Sequence, residues 1–498
     1  MAAKGENRAK KSRPVDPVQS PITFRPCAND EFHPFPYTER DHRAEAMFQS
    51  LVDEKASRLG ISRRAFAQSA CGSAAALFVF NQVYGCSEHG QTLRDPTTDA
   101  GYDVSPAMME DAAAAEDALA GDEFIFDVQV HAAASKPPWT PDDLCDGAPP
   151  GCISPVTFIK EIFIASDTDV ACLSGVPSSR SADPLAIEAR ARIKEIVDRL
   201  SGGPRLVIHA NVRPNLGEAE LDLMEEDARA FAVAAWKVYP SDGSWALDSD
   251  EVGQPFIERA RKLGIKVIAA HRGISSDAGR YDDVSSPRDL AAAAKANPDI
   301  AFLAYHAGWE GRIQEDHPFD PREANPAGID RMVKAVLDHG IDKNGNVYAE
   351  LGSTWRNLMA SPSQAAHALG KLLKYLGPDR IVWGTDCLFT GSPQEQIEAF
   401  RRFQIPEAMQ ETYGYPALTD EIRRKIFGLN AARVYGVTPG RVLQHIKADD
   451  ISRDKLAAKL DPGALPLPRR KHYGPRTRRE FFALRERPSR GIPSRSPT

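Results

Sequence analysis

Short apolar runs alternate with longer amphipathic segments between residues 123 and 436. The short runs are rich in Val, Ile, Phe and Ala, as is typical of strands that are buried on both faces. They predict eight strands, at residues 124–130, 169–174, 205–210, 230–238, 266–270, 300–305, 346–351 and 380–384. The segments between them predict eight helices, at residues 155–166, 185–200, 216–227, 254–263, 287–296, 328–339, 363–376 and 393–403.

Eight strands that alternate with eight helices over about 310 residues predict an α/β fold, a parallel (β/α)8 TIM barrel. A doubly wound open sheet is the alternative arrangement of such elements. That fold has a glycine-rich turn after its first strand, where it binds dinucleotides. Here Val130 ends the first predicted strand and is followed by His131, Ala132 and Ala133. The sequence therefore favours the barrel.

The barrel, at residues 121–437, is flanked by an N-terminal extension, 1–120, and a Pro-rich, basic C-terminal extension, 438–498. Segment 62–86 resembles a twin-arginine export signal, because Arg63 and Arg64 precede Phe66 and a weakly apolar run. A long stretch precedes the arginine pair, however, and no clear small-residue cleavage site follows. A helix packed on the barrel is the alternative. We expect a cytoplasmic protein, with export to the periplasm as the alternative.

Composition changes this picture little. Apolar residues make up 42% and charged residues 26% of the 498 residues, as in ordinary globular proteins. No apolar run reaches the 18–20 residues or so of a membrane helix, so an integral membrane span is not expected. Seven irregularly spaced cysteines argue against a disulfide scaffold or a cysteine-rich zinc module.

The net charge of −7 conceals a basic C-terminus, because residues 469–498 contain ten Lys or Arg and two Glu. Such a tail can contact nucleic acid or an anionic surface. We expect instead a solvated terminal arm, and a protein without a nucleic-acid partner.

The candidate chemistry lies where the predicted strands end, because active sites of parallel barrels form at the carboxyl ends of the strands. Imidazole and carboxylate groups together suit zinc, manganese or iron. The joint placement of these groups predicts a metal site or a catalytic site. The polar residues at these ends are Gln129, His131, Lys237, His271, Arg272, His306, Glu350 and Asp386.

Two motifs carry a resemblance to a known family. Residues 377–386, GPDRIVWGTD, resemble a GPDR-x-x-x-G-[ST]-D motif, and residues 428–436, GLNAARVYG, resemble a G-x-N-A-x-R-x-[YF]-G motif. Both are typical of the amidohydrolase-related superfamily, in particular the branch that contains aminocarboxymuconate-semialdehyde decarboxylase. The resemblance covers about residues 124–437 and implies the barrel fold and a metal-dependent enzyme.

The resemblance also implies roles for individual residues. His131 matches the second histidine of the family's H-x-H motif, and His271 matches a metal ligand on the fifth strand. Asp386 matches an aspartate that binds metal and moves a proton. His306 matches a histidine that polarises the substrate or protonates an intermediate. The implied cofactor is one divalent metal ion, with zinc expected and manganese or iron as alternatives.

The first histidine of H-x-H is replaced by Gln129. An amide oxygen is neutral and binds zinc more weakly than imidazole, so the site is expected to be mononuclear. Lys237 matches a lysine of the fourth strand and is a candidate for substrate binding. Arg272, with Arg312 and Arg356, is a candidate clamp for a substrate carboxylate, because guanidinium pairs with planar anions.

These residues predict a metal-dependent hydrolase that attacks a small lactone, ester or amide with a metal-activated water. A metal-dependent carboxy-lyase for aromatic or muconate-type acids is the alternative, and the sequence barely separates the two. A non-catalytic barrel, with Gln129 as the sign of lost chemistry, is the third. The expected partner is a small-molecule substrate, and a homodimer is expected from the resemblance.

Overall fold

The computed structural model of the protein describes residues 16–28, 33–84, 101–132, 155–183, 185–274, 285–311, 313–460 and 473–486. In these ranges Gly101–Tyr102 and Phe403–Gln404 form a small antiparallel sheet, and the eight strands between them along the chain form one parallel sheet in sequential order. The strands are β1 Gly101–Tyr102, β2 Phe126–Val130, β3 Val170–Leu173, β4 Leu206–Val212, β5 Val233–Val238, β6 Val267–His271, β7 Ala301–Tyr305, β8 Val347–Glu350, β9 Ile381–Val382 and β10 Phe403–Gln404.

The parallel sheet closes on itself between β2 and the chain that follows β9. Val130 and Cys387 form a parallel bridge, and the Val128 amide donates to the Trp383 carbonyl over 3.0 Å. The Asp386 amide donates to the Gln129 carbonyl over 2.8 Å. The predicted (β/α)8 barrel is therefore confirmed, and the alternative of an open, doubly wound sheet is wrong, because an open sheet leaves its two edge strands unpaired.

Helices surround this barrel, and each of the eight predicted helices is present with ends shifted by a few residues. The predicted helix at 155–166 begins as an α-helix, Pro155–Ile159, and continues as a π-helical turn, Lys160–Ile164. The helices in the described ranges are α1 Glu39–Leu59, α2 Arg63–Ala67, α3 Ala70–Tyr84, α4 Ala112–Leu119, α5 Pro155–Ile159, α6 Ile187–Leu200, α7 Glu218–Ala230, α8 Gly253–Lys262, α9 Arg288–Ala296, α10 Ile329–Asp338, α11 Thr354–Leu358, α12 Pro362–Tyr375, α13 Gln394–Arg402, α14 Glu407–Tyr413, α15 Asp420–Arg424, α16 Asn430–Tyr435, α17 Pro439–Ile446, α18 Asp450–Leu460 and α19 Arg478–Glu486.

Helix α10 shows how the sequence pattern places a helix on the barrel. Ile329, Met332, Val333 and Val336 recur at the spacing of one helical face and are all buried. Leu337, at the edge of this face, is exposed. Burial of one apolar face fixes the rotation of the helix about its axis.

The N-terminal extension forms part of the hydrophobic core. Helix α3 is buried along most of its length. The rings of Phe24 and Phe48 are 5.9 Å apart, and those of Phe24 and Phe80 are 5.3 Å apart, both edge to face. Residues 62–84 thus pack as helices α2 and α3, and residues 85–86 lie outside the described ranges. The structure bears on packing alone, so the export signal stays a prediction.

The described part of the basic tail is not a solvated arm, contrary to expectation. Tyr473 is 4% exposed, and its hydroxyl donates to Oε1 of Glu161 over 2.7 Å. Its amide donates to the Phe389 carbonyl over 2.6 Å. Apolar and hydrogen-bonding residues inside the basic stretch therefore fix it to the barrel. Among the described residues, no helix has the length and apolar composition needed to cross a membrane.

The two sequence motifs contact each other at the amino ends of the barrel strands, opposite the end where the site residues lie. The Asn430 side chain donates to the carbonyls of Pro378 and Ile381, each over 2.8 Å. Arg433 donates to the Asp379 carbonyl over 2.9 Å. The second motif thereby holds the turn from which β9 begins.

Candidate active site

The predicted site residues lie at the carboxyl ends of the barrel strands. His271 ends β6, His306 follows β7, and His131 follows β2. Asp386 follows β9 and is 4% exposed. None of the three histidines is more than 6% exposed. The fold thus gathers the sequence-predicted groups in one buried region.

The closest contact is between His131 and Asp386. Nε2 of His131 lies 3.0 Å from Oδ1 of Asp386. The Gln129 amide nitrogen donates to the same Oδ1 over 3.0 Å and lies 3.5 Å from His131 Nε2. Gln129, His131 and Asp386 therefore surround one point.

A main-chain contact sets the tautomer of His131. Its Nδ1 lies 3.1 Å from the Ser174 carbonyl oxygen, which can only accept a hydrogen bond. Nδ1 therefore carries a hydrogen, and in the neutral ring Nε2 presents a lone pair to Asp386. Two lone-pair donors 3.0 Å apart repel each other unless a cation, either a proton or a metal ion, lies between them.

Asp386 is held as an ionised carboxylate. Burial raises its pKa, but the hydrogen bond and charge of His131, with the charge of His306 and the hydroxyl of Ser353, lower it to about 2. Ser353 donates to Oδ2 over 2.5 Å. Ser353 was not among the residues predicted from the sequence. It follows the end of β8 by three positions, and polar residues near strand ends were the signal that identified the other candidates.

His306 and His271 form the other side of the site. Their ring centroids are 4.6 Å apart, edge to face. Burial lowers the pKa of His271 to about 3, with a further contribution from the Lys237 ammonium, so this imidazole is neutral at physiological pH. Nδ1 of His306 donates to the Gly352 carbonyl over 2.7 Å, which leaves Nε2 as its second nitrogen for proton transfer.

Glu350 connects two of the loops that carry these groups. Its carboxylate accepts the His306 amide over 3.1 Å and the Gly352 amide over 2.6 Å. Burial raises its pKa to about 8. A Cβ at residue 384 would lie 1.6 Å from Glu350 Oε1, so Gly384 of the first motif is needed for this approach.

Several of these residues have unusual backbone conformations. His306, Ser353 and Asp386 have φ angles of +70°, +54° and +60°, in the region that favours glycine. Ala307, next to His306, has +50°. Such conformations cost free energy and concentrate at functional sites, because the surrounding structure must hold them. The cluster at the ends of β7, β8 and β9 marks this region independently of its side chains.

The remaining candidates are placed as follows. Lys237 is fully buried, with Nζ 3.4 Å from the centroid of the Tyr305 ring. Arg272 forms an ion pair with Asp289 over 2.6 Å, and Arg356 forms one with Glu395 over 3.1 Å. Each guanidinium group is therefore paired with a carboxylate, and the expected contact of these arginines with a substrate carboxylate stays a prediction.

The expected role of Lys237 in substrate binding stays a prediction. Arg312 lies outside the described residues. His209 is buried between Ser174 and Tyr435, at 3.2 and 2.9 Å, and is structural.

A metal ion matches part of this arrangement. Within the described residues, no three His, Cys, Asp or Glu side chains come close enough to share an ion. His131 and Asp386 do meet, as two donors that require a cation between them. Oε1 of Gln129 is buried and has no hydrogen bond to any described residue. The pair of donors, with the Gln129 amide beside them, fits a mononuclear site, and the placement of His271 as a ligand stays a prediction.

The (β/α)8 barrel thus carries a buried histidine–carboxylate pair at the carboxyl ends of its strands. The sequence profile of the family described as Amidohydrolase matches residues 179–437, just over half of the chain. The protein therefore belongs to the amidohydrolase family, as the motifs indicated, and is an enzyme. Dependence on a divalent metal is general in that family.

Solved structures give weaker likenesses. A probable 2-pyrone-4,6-dicarboxylic acid hydrolase from Acinetobacter baumannii is 14% identical, with 63% of this chain and 99% of that chain covered and a TM-score of 0.38. A 2,6-dihydroxybenzoate decarboxylase from Rhizobium is 16% identical, with 64% and 99% covered and a TM-score of 0.36. A 5-carboxyvanillate decarboxylase from Sphingomonas paucimobilis is 14% identical, with 64% and 100% covered and a TM-score of 0.38. No curated protein matches the chain.

Proposed function

We propose that the protein is a metal-dependent hydrolase of a small carbonyl compound, namely a lactone, ester or amide. The observation that supports this most is the pair formed by His131 Nε2 and Asp386 Oδ1, 3.0 Å apart. Both atoms present lone pairs to one buried point, at the end of the barrel where such enzymes act. Zinc is the expected ion, and manganese or iron are the alternatives.

When bound, a divalent ion lowers the pKa of a coordinated water toward about 7 and so supplies the nucleophile. His131 and Asp386 would hold the ion, with His271 as the further ligand that the family resemblance implies. The low pKa of Asp386 keeps its carboxylate ionised, as a carboxylate that holds a metal ion must be.

The chain's own groups can then move the protons of hydrolysis. Asp386 accepts the proton of the attacking water, whose oxygen bonds to the substrate carbonyl carbon. His306, in its protonated form, donates from Nε2 to the oxyanion that develops. The carbon–oxygen or carbon–nitrogen bond to the leaving group breaks as Asp386 returns its proton to the leaving atom. Ser353 keeps the Asp386 carboxylate in place throughout.

Burial of the site supports a second candidate, a carboxy-lyase for aromatic or muconate-type acids. His306 is fully buried, and His131 and Asp386 are 5% and 4% exposed. A carboxylate loses its charge as CO2 leaves, so exclusion of water favours that step. The carbon–carbon bond breaks, and the carbon left with the electron pair takes a proton from Asp386 or His306.

One panel of assays separates these activities. The purified enzyme, supplied with Zn²⁺, Mn²⁺ or Fe²⁺, is tested for acid release from lactones, esters and amides and for CO2 release from aromatic acids. We expect acid release, abolished in His131→Ala and reduced by several orders of magnitude in His306→Ala. CO2 release instead selects the carboxy-lyase. Activity on neither class with each ion restored would favour a barrel that has lost its chemistry.

We also propose that the enzyme acts in the cytoplasm. Phe66 and Phe80 of the twin-arginine-like segment are fully buried in the core. This burial supports the proposal, because an export machinery requires an accessible signal. The homodimer implied by the family resemblance stays a prediction, with the molecular mass in solution as its test.

A further inference from the structure

One end of the Gln129 side-chain amide forms a hydrogen bond with a described residue, and the other end forms none. Its amide nitrogen donates to Asp386 Oδ1, whereas its oxygen, which is buried, accepts no hydrogen bond from the described residues. A buried amide oxygen without a donor costs free energy, about 1–3 kcal/mol in proteins. In the absence of a metal ion the nitrogen is nevertheless the end that must face Asp386, because two facing oxygens would repel each other.

The surroundings of the unsatisfied oxygen suit the other end of the amide. A Cβ at residue 352 would lie 2.2 Å from Gln129 Oε1 and 2.6 Å from Glu350 Oε1, so these two oxygens flank the same point. A carboxyl oxygen is an acceptor for an amide N–H. If the amide rotated by half a turn about its terminal bond, its nitrogen would face Glu350, and its oxygen would face His131 and Asp386.

That rotated arrangement is stable only with a cation in the site. Three lone-pair atoms, namely His131 Nε2, Asp386 Oδ1 and Gln129 Oε1, would then face one point. A metal ion satisfies all three, and the amide nitrogen gains an acceptor as well. Rotation of an amide exchanges nitrogen and oxygen without displacing the rest of the side chain, because the two ends have nearly the same shape.

We propose that Gln129 is a metal ligand through Oε1, and that this amide oxygen lessens the advantage of zinc over a harder ion such as Mn²⁺. The inference rests on the proposed metal-dependent function and deepens it. Imidazole favours zinc, whereas carbonyl and carboxylate oxygens suit manganese. An oxygen in place of the first histidine therefore lowers the affinity for Zn²⁺ more than the affinity for Mn²⁺.

Direct binding of Zn²⁺ and of Mn²⁺ to the full-length protein tests this without reference to activity. Each ion is measured by equilibrium dialysis with elemental analysis, and Mn²⁺ also by its electron paramagnetic resonance signal. The variants are Gln129→His, which restores imidazole, Gln129→Glu, which keeps an oxygen ligand, and Gln129→Leu, which removes the ligand at similar size. His131→Ala is the control for the site as a whole.

We expect Gln129→His to bind Zn²⁺ at least tenfold more tightly than the wild type. Its affinity for Mn²⁺ should differ from that of the wild type by less than threefold. Gln129→Glu should strengthen Mn²⁺ binding, and Gln129→Leu should weaken both ions at least tenfold. Equal binding by the wild type and Gln129→Leu overturns the inference but leaves the metal site intact. If Gln129→His increases the affinity for Zn²⁺ and for Mn²⁺ equally, the amide oxygen does not lessen the advantage of zinc, and that part of the inference is overturned. No binding by the wild type, or unchanged binding in His131→Ala, overturns the proposed metal site itself.

Discussion

The Ser353 hydroxyl donates a hydrogen bond to Oδ2 of Asp386 over 2.5 Å, between the loops that follow β8 and β9. Both residues have positive φ angles, +54° and +60°. The fold therefore holds two loops in costly conformations at the place where this contact forms. With Gln129 and His131 at Oδ1, both oxygens of the carboxylate have partners. The orientation of Asp386 is thus fixed before any substrate binds.

Loss of the Ser353 hydroxyl should therefore impair turnover more than stability. We expect Ser353→Gly to lower kcat by about 10- to 100-fold, because a hydrogen bond to a buried charged group contributes about 1.5–3 kcal/mol. Glycine tolerates the positive φ, so this variant removes the hydroxyl without straining the backbone. Steady-state kinetics on a substrate found in the assay panel gives the result.

Ser201→Ala is the matched control for Ser353→Gly. Ser201 is 1% exposed, and its hydroxyl has no hydrogen-bond partner among the described residues. Its removal should leave kcat within a factor of two of the wild-type value, because substitutions away from the reacting groups have small effects. Similar kcat values for Ser353→Gly and the wild type would contradict a positioning role for Ser353.

The barrel and the ends of its strands were predictable because both follow from periodic burial. Apolar runs fix the strands, and parallel strands bring their carboxyl ends to one side, so His131, His306 and Asp386 could be grouped before the structure was known. The contact between Ser353 and Asp386 was not predictable in this way. It depends on loop conformations with positive φ, and hydrophobic patterning contains no information on those.

The extensions illustrate a second limit. The apolar run in α3 is suited equally to a signal and to a buried helix, since both require apolar side chains. Net charge was similarly misleading for the tail, because Tyr473 and Phe481 decide its packing and neither is charged. A sequence average hides such single anchoring residues. The ion pairs of Arg272 and Arg356 were unpredictable for another reason, since the partner carboxylates are distant in sequence.

Glu350 should make stability depend on pH in a defined direction. Its pKa is about 8 in the folded protein and near 4.5 when exposed. Between these values the unfolded chain has lost a proton that the folded chain retains, so this group makes the free energy of unfolding fall as pH rises, by up to about 5 kcal/mol. In Glu350→Gln the side chain cannot titrate, so the free energy of unfolding should fall less steeply as pH rises.

Urea unfolding of the wild type and Glu350→Gln between pH 5 and pH 9 measures this difference. The variant should be less stable at pH 5, because an amide oxygen cannot replace both acceptors used by the His306 and Gly352 amides. At pH 9 the free energies of unfolding of the two proteins should become similar. Parallel curves across the range would show that Glu350 is ionised in the folded protein.

Helix α3 should contribute to global stability. Phe80 is fully buried and packs edge to face on Phe24. Phe80→Ala should lower the free energy of unfolding by about 3–5 kcal/mol, the usual cost of such a cavity. Met47→Ala on α1, at a side chain that is 37% exposed, should change it by less than about 0.5 kcal/mol. Equal effects of the two substitutions, measured by chemical denaturation, would contradict a core role for α3.

Residues 473–475 should shield the thiol of Cys27. The Phe389 carbonyl, three residues after Asp386, accepts hydrogen bonds from the Cys27 thiol over 3.0 Å and from the Gly474 amide over 3.0 Å. Burial raises the pKa of Cys27 to about 11, which suppresses its reactive thiolate. Deletion of residues 473–498 should therefore expose Cys27 and increase its rate of alkylation at least tenfold.

Iodoacetamide labelling followed by peptide mass spectrometry measures that rate at each cysteine. Cys172, fully buried in β3, reports on unfolding of the barrel and should stay unlabelled. Deletion of residues 487–498 alone keeps the contacts of 473–475 and should leave Cys27 protected. If Cys27 and Cys172 become reactive together, the longer deletion has unfolded the barrel, and the tail stabilises the whole fold. If Cys27 stays protected after that deletion, the N-terminal segment shields it without help from the tail.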